Sequence, residues 1–401
     1  MPRRIVQVPP LPEVLVTDEA SLRACVSQLA KHTVLGFDTE FVGEHTYRPE
    51  LCLIQVSTTE RLYLIDPYNC GSLEPFWQLM HDPARAVLAH AAREETRMCY
   101  FQSGTAPANI FDTQIAAGFL GLTYPMSYAG LVQTVLGVKL NKGDTLSDWR
   151  RRPLSSSQIR YAYDDVRYLI PIYTRLLAKL KKFDRVSWAE DEFRTFVGWA
   201  TGEVEVVERW RKVKGSGGLR RRELAVLRAA FAWREGVAVR QDRPARTVLR
   251  DDMLIEVARR GAKKHDIAEL RGLPQRELPV LEKAVDDANQ LPMNQCPKEA
   301  DNDVDPPQVA IISVVLNVVL SDLCERLKLA TGLVCTQQDL KDLVRARQPG
   351  CELPPDSPFQ SGWRKTDILP HLARVLDGNL ALRVQDPRTT APLEYIELVD
   401  G

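Results

Sequence analysis

The feature that most constrains this chain is a short apolar run, Val34-Leu35-Gly36-Phe37, that ends in Asp38-Thr39-Glu40. The run reads as a buried strand, and residues i and i+2 of a strand point to the same side, so Asp38 and Glu40 share one face. Carboxylates placed in this way repel each other unless a cation sits between them. Mg²⁺ and Mn²⁺ are hard ions that accept such oxygens while sharing the rest of their shell with water and phosphate. The pattern points to chemistry on a nucleic acid or nucleotide, although a D-x-E pair alone also describes a solvated strand end.

The flanks strengthen the first reading. Thr39-Glu40-Phe41 runs on to Thr46-Tyr47-Arg48-Pro49-Glu50-Leu51-Cys52-Leu53-Ile54-Gln55-Val56, a turn and a second, mostly buried strand. Ala86-Val87-Leu88-Ala89 followed by His90-Ala91-Ala92-Arg93-Glu94-Glu95-Thr96-Arg97 reads as a strand feeding a helix. Ser155-Ser156-Ser157-Gln158 opens another helix, with a serine cap ahead of good helix formers. Within it Tyr161 and Asp165 are spaced i, i+4 and address one point from one face. On an amphipathic helix a tyrosine alone would more often be packing.

A chain of 401 residues, 44% hydrophobic and 26% charged, has ordinary globular content and room for two or three domains. Strand patterns near 33–38, 51–58, 61–66 and 86–90, interleaved with later helices, predict an α/β layer with a mixed sheet. Two stretches, 201–218 and 291–308, mix charge with Gly, Ser, Pro, Asp or Asn and read as linkers. Beyond the first, almost no strand pattern remains. Helices are expected over 221–235 and 251–260, in a short piece near 267, and over 274–288. Residues 309–382 repeat this plan more loosely, and the tail 380–398 has the alternation of a short β-hairpin.

The formal net charge is zero, yet residues 209–264 carry 17 Lys and Arg against 6 Asp and Glu. This block includes Arg220-Arg221-Arg222 and is interleaved with Trp210, Phe231 and Trp233. It reads as an electrostatic footprint for RNA phosphates, with the aromatics in a core and the arginines outside. The alternative is a solvated helical face.

Eight cysteines without a C-x-x-C pair predict a reducing compartment and no structural zinc. Met1-Pro2-Arg3-Arg4 is not followed by the apolar core of a signal peptide. The apolar stretch 309–320 is interrupted by Ser313 and Asn317. A helix of about 12 residues would span only about 18 Å, short of the roughly 30 Å hydrocarbon layer. A buried helix, no membrane and a cytoplasmic protein are the expectations.

Taken in order, these motifs resemble the ribonuclease D family of DEDD 3′→5′ exonucleases, in the branch whose third motif carries Tyr. The first motif matches at Asp38 and Glu40 with the T-Y-x-P-x-L-x-L-I-Q continuation, and the third at Tyr161, Ala162 and Asp165. Phe111-Asp112-Thr113-Gln114 and Ser147-Asp148-Trp149-Arg150-Arg151-Arg152-Pro153-Leu154 look like further signatures. The second motif departs from its H-A-x-x-x-D pattern, because Glu95 stands where the family has Asp. Glu94 is the alternative if the helix is rotated. If Glu95 fills the Asp position, Glu95→Asp should keep or raise activity.

The resemblance implies a ribonuclease H-like mixed-sheet exonuclease domain over 1–205 and a linker over 206–218. A first helical domain of the helicase-and-ribonuclease-D C-terminal (HRDC) type follows over 219–290, then a linker over 291–308 and a second, divergent copy over 309–401. It further implies two divalent ions, Mg²⁺ or Mn²⁺, with Asp38 bridging both, Glu40 and Asp165 completing one site and Glu95 supporting the other. Tyr161 would orient the attacking water.

Three reaction classes follow. One is a monomeric exoribonuclease trimming the single-stranded 3′ ends of tRNA precursors or other structured RNA to release nucleoside 5′-monophosphates. Another is a DNA-directed 3′→5′ exonuclease, since the chemistry does not itself need a 2′-OH. The last is a nucleic-acid-binding scaffold in which Glu95 has cost the chain its catalysis.

Overall fold

The computed structural model describes residues 9–140, 147–201, 209–299 and 305–398. The N-terminal residues 1–4, the expected break at 205–206 and residues 300–304 of the second expected linker lie outside the described residues.

Two compact units form, one from residues 1–40, 53–203 and 305–401, the other from residues 41–52 and 204–304. In chain order the sheet and its helices are β1 (Glu13–Val16), α1 (Glu19–Leu29), β2 (Val34–Val42), β3 (Glu50–Ser57), β4 (Leu62–Ile65), α2 (Glu74–Met80), β5 (Ala86–Ala89), α3 (Arg93–Ser103), β6 (Ile110–Asp112), α4 (Thr113–Gly118), α5 (Tyr128–Leu136), α6 (Ser156–Arg167), α7 (Leu169–Lys182) and α8 (Val186–Thr201). The strands lie in the order β1-β4-β3-β2-β5-β6. β1 runs parallel to β4, β2 to β5 and β5 to β6, whereas β3 and β4 are antiparallel. This is the mixed-sheet α/β layer that the strand alternation predicts. Phe37 anchors one face of the sheet, its ring 6.2 Å from those of both Phe76 and Trp77 on α2.

The second unit is helical: α9 (Arg221–Arg240), α10 (Ala245–Val248), α11 (Asp251–Ala262) and α12 (Leu278–Gln290). Leu224, Leu227, Val237, Leu254, Leu281 and Val285 form its core. Gly261 permits close packing there, since a Cβ would sit 2.7 Å from Val285 and 3.3 Å from Val226. Trp210 and Val213, in the stretch read as a linker, are buried in the same core. The short helix expected near 267 is absent; Ile267 is a buried turn residue that holds the α11–α12 connection by its side chain.

The remaining elements are α13 (Pro307–Leu327), α14 (Thr331–Val334), α15 (Gln337–Arg345), α16 (Leu369–Leu376) and a hairpin of β7 (Leu380–Val384) and β8 (Leu393–Glu397). Long helix, single turn, medium helix and final helix repeat the order of α9 to α12. Trp233 lies within the long first helix, whereas Trp363 lies just ahead of the last one.

α13 is also longer than the twelve-residue helix expected over 309–320, because it runs on past Leu320 through Leu327, and Ser313 and Asn317 are accommodated within it. The Ser313 hydroxyl donates to the Ala310 carbonyl at 2.9 Å and so stays inside the helix. At 21 residues α13 is long and apolar enough to cross a membrane by length and composition; Val309, Leu316, Val319 and Leu323 are buried against the protein.

This C-terminal segment shares one compact unit with the sheet. The Trp363 ring stacks on Trp188 of α8 with centroids 5.2 Å apart and also donates Nε1–H to Glu192 at 3.1 Å. Buried Arg185 donates to the carbonyls of Phe119 at 2.6 Å and Lys328 at 2.8 Å, so a cation caps the end of α13.

Candidate active site

β2 sends Phe37 to one face of the sheet and Gly36, Asp38 and Glu40 to the other. Gly36 lets α7 approach that face, because a Cβ there would lie 3.2 Å from Leu169 and run into the Ser57 hydroxyl. Both acids are half-buried.

The turn from β5 into α3 is held by a buried carboxylate. Asp112, at the end of β6, accepts from the backbone N–H groups of Ala91 at 3.2 Å and Ala92 at 2.9 Å. It also caps α4 by accepting from Gln114 at 2.7 Å and Ile115 at 3.3 Å. Ala91 adopts φ 54°, a left-handed conformation that these bonds sustain. One fully desolvated side chain thereby fixes where α3 begins.

From that start Glu95 points inward in the first turn of α3 and is buried, and its carboxyl is hydrogen-bonded to that of Asp38. Glu94 faces the surface instead, paired with Arg97 at 3.2 Å. The second motif's two glutamates therefore part, and Glu95 is the one that meets the strand acids.

α6 starts from a capping box in which the Gln158 N–H donates to Ser155 Oγ at 3.2 Å and the Ser155 N–H to Gln158 Oε1 at 2.9 Å. The helix phase so fixed brings Tyr161 and Asp165 to one side, where the two side chains interact electrostatically. The Trp149 ring, 6.1 Å from that of Tyr161, backs the phenol. Arg152 steadies this signature by donating to the Trp149 carbonyl at 2.7 Å and to Asp66 at 3.0 Å.

Burial makes these acids hold their protons. It pushes Glu40 up to about 8, helped by the charge of Asp38, and Asp165 up to about 9, helped by Asp38 and Glu40. Asp38 and Glu95 are raised for the same reason and hold one proton between them. Tyr161 is raised by burial and by the neighbouring acids, so its hydroxyl stays protonated across the neutral range.

The donor set suits a hard divalent cation. All four side chains offer oxygen, the acids are desolvated and mutually repelling once ionised, and Asp165 Oδ2 is buried without a hydrogen-bond partner. As the side chains stand, the described residues hold no ready-made cage of three His, Cys, Asp or Glu ligands.

The arginine run lies in the helical unit. Arg220 is exposed, but Arg221 donates to the Cys296 carbonyl at 3.2 Å and Arg222 to the Ala288 carbonyl at 2.8 Å. Two of the three therefore tie helix ends together. His90 is a structural tie as well, bonded to Thr113 Oγ1 at 3.0 Å and to the Met126 carbonyl at 2.9 Å. Sequence reasoning missed the work of Asp112 and Trp149, which appear in it only as signature residues. The signal available for Asp112 was an acid between an apolar strand and a helix start.

Comparison with known proteins gives the family and the fold. A family model described as a 3′-5′ exonuclease matches residues 14–181, and the HRDC domain model matches residues 223–280. The ribonuclease D of Gluconacetobacter diazotrophicus is 33% identical over 383 residues, covering 94% of this chain and 95% of that one. The ribonuclease D of Acidiphilium cryptum is 32% identical, with 98% of each chain covered. Among solved structures, Escherichia coli RNase D, described as an exoribonuclease involved in structured RNA processing, superposes with TM-score 0.75 at 27% identity, over 91% of this chain and 98% of that one. The catalytic core of RRP6 from Trypanosoma brucei gives 0.53 at 25% identity, over 71% and 81%. A mixed sheet bearing four converging acids, an HRDC match later in the chain and end-to-end likeness to such enzymes mean that the chain belongs to the ribonuclease D family and is an exoribonuclease.

Proposed function

We propose that the enzyme shortens RNA from a single-stranded 3′ end, with structured molecules such as tRNA precursors as substrates and nucleoside 5′-monophosphates as products. The observation that carries this reading is the convergence of Asp38, Glu40, Glu95 and Asp165 into one desolvated cluster with an unpartnered oxygen on Asp165. Those four residues would hold two divalent ions, Mg²⁺ or Mn²⁺. Such ions supply a low-pKa water and offset charge on the leaving oxygen. Tyr161 keeps its proton and would hold the attacking water by hydrogen bonding, with Asp165 on the same helical face. Glu95 orients Asp38, and the Trp149 ring backs Tyr161.

Two supports come from outside the cluster. The E. coli enzyme's part in structured RNA processing points to the same substrate class, and the basic excess over residues 209–264 suits phosphates. The repeated helix order over 307–376 supports a second, divergent HRDC-like copy after residue 305. A cytoplasmic setting fits eight cysteines, none of them paired.

The test is digestion of a 3′-tailed RNA and the matching DNA with Mn²⁺ or Mg²⁺. Shortening of the RNA from its 3′ end with release of 5′-monophosphates is expected. Faster loss of DNA would reassign the substrate, and intact binding without digestion under either ion would make the chain a scaffold.

A further inference from the structure

We propose that Gln55 is a positioning residue whose side-chain amide holds the Asp38 carboxylate in its ion-binding orientation. The inference rests on the cation-binding reading of the cluster and assigns it a residue outside the four acids and Tyr161.

Placement comes from the strands. β2 and β3 are neighbours joined by residues 43–49, a connection short enough only for an antiparallel pair. The Ser57 hydroxyl occupies the space that a Cβ on Gly36 would need, so those two residues oppose each other. Moving two residues along an antiparallel pair sets Gln55 opposite Asp38 on the same face. Directly opposed Cβ atoms lie about 4.5–5.5 Å apart, within reach of an amide on a two-carbon stem.

The state of Gln55 is unusual for a structural residue. It is 0% exposed, and neither Nε2 nor Oε1 has a hydrogen-bond partner. Leucine or methionine would fill such a position at lower cost to folding, because a buried amide without partners loses its hydration for nothing. Ser57 Oγ beside it and Asp165 Oδ2 are also buried and unpartnered, so the acid face carries further unmet hydrogen-bonding capacity next to Gln55.

Asp38 lies directly across the strand pair from this amide. A carboxylate that holds a cation through part of its oxygen capacity keeps lone pairs free to accept a hydrogen bond. The Gln55 Nε2–H group is a neutral donor beside them, and it neither competes for the ion nor adds charge. Donors in this position commonly change metal affinity or activity by about 10–100-fold.

Gln55→Leu and Gln55→Met remove the amide while preserving bulk. With EDTA present, both variants should melt at the parent temperature or above it. Calorimetric Mn²⁺ affinity and kcat on 3′-tailed RNA should each fall by about 10–100-fold, with KM unchanged. Parent-like Mn²⁺ affinity and kcat would overturn the proposal. So would a lower melting temperature with Mn²⁺ affinity intact, or failure of both variants to fold, since each would make the amide a packing group. Asp38→Asn is run alongside. If it binds Mn²⁺ like the parent, the cation-binding reading has failed, a result distinct from failure of Gln55 alone.

Discussion

Glu95 of α3 and Asp38 of β2 are hydrogen-bonded through their carboxyl groups, so the second motif's acid meets the first motif's acid without an intervening base. Two carboxyls can bond this way only if one carries a proton. The cluster is therefore a proton store in the absence of cations, and ion binding must release those protons.

A pH dependence follows. Glu40 and Asp165 hold protons in the folded chain up to about 8 and about 9, whereas the unfolded chain loses them near pH 4. The native state binds more protons between those limits, so stability contributed by these acids is complete below about pH 4 and is lost as pH rises through 8 and 9. In EDTA, the melting temperature should fall by roughly 5 °C or more between pH 5.5 and 9, at about 2–4 °C per kcal/mol for a unit of this size. Mn²⁺ should flatten that slope by taking the protons' place. A melting temperature in EDTA that rises over the same range would contradict the assigned shifts.

The Glu95 geometry reverses the expectation drawn from the motif alone. Glu95 already reaches Asp38 from a helix start fixed by Asp112, so α3 sits at the distance suited to the longer acid. Glu95→Asp withdraws the carboxyl by one methylene, and a displacement of about 1 Å can cost about 10²-fold. Cleavage should drop by 10- to 100-fold, whereas Glu94→Gln, at the surface, should leave it unchanged. Parent-like rates for Glu95→Asp would mean that the helix slides to follow the shorter acid.

Which parts were legible follows from how local each signal is. β2, β3, β4 and β5 showed as apolar runs, but β1 opens on a charged residue directly after a proline-rich stretch and β6 is only three residues long. The four acids and Tyr161 stood out because charge and hydroxyl are costly beside apolar strands and at one helical face. Asp112 works through the backbone of a turn twenty residues away, and Gln55 through a cross-strand neighbour. Neither relation leaves a local spacing to read. The α13 boundary was misjudged because the apolar run ends at Leu320, whereas the helix continues through a polar last stretch to Leu327.

Asp112 should prove a stability residue as well as a positioning one. Asp112→Ala would strand four backbone N–H groups, two of them at the launch of α3. Leaving buried donors unpaired costs about 1–3 kcal/mol for a group of this kind, more where a charge held several of them. The melting temperature should drop by roughly 5–10 °C, and Mn²⁺ affinity should fall because Glu95 loses its fixed origin. A shift below about 2 °C would show that water or a neighbour replaces the carboxylate.

For Tyr161, the phenol's role separates from its packing in one substitution. Tyr161→Phe keeps the ring against Trp149 and removes only the hydroxyl that faces the acids. Stability and Mn²⁺ affinity should stay near the parent values, while kcat falls by about 10- to 100-fold with KM unchanged. If kcat is preserved, Tyr161 is a wall of the site and the water is held elsewhere.

The arginine run divides by what each side chain already does. Arg222 donates to the Ala288 carbonyl near the end of α12 and Arg221 to that of Cys296, so both are committed to the helical unit's own closure. Arg222→Gln should lower the melting temperature of that unit by a few degrees, as expected for loss of a charge-assisted bond worth about 1.5–3 kcal/mol. Arg220 is exposed at the start of α9 and is free of that duty. Arg220→Gln should leave the melt unchanged and weaken RNA binding, reducing the slope of log affinity against log salt by about one contact. A salt slope identical to the parent's would assign Arg220 to the solvated face and move the phosphate contacts elsewhere along residues 209–264.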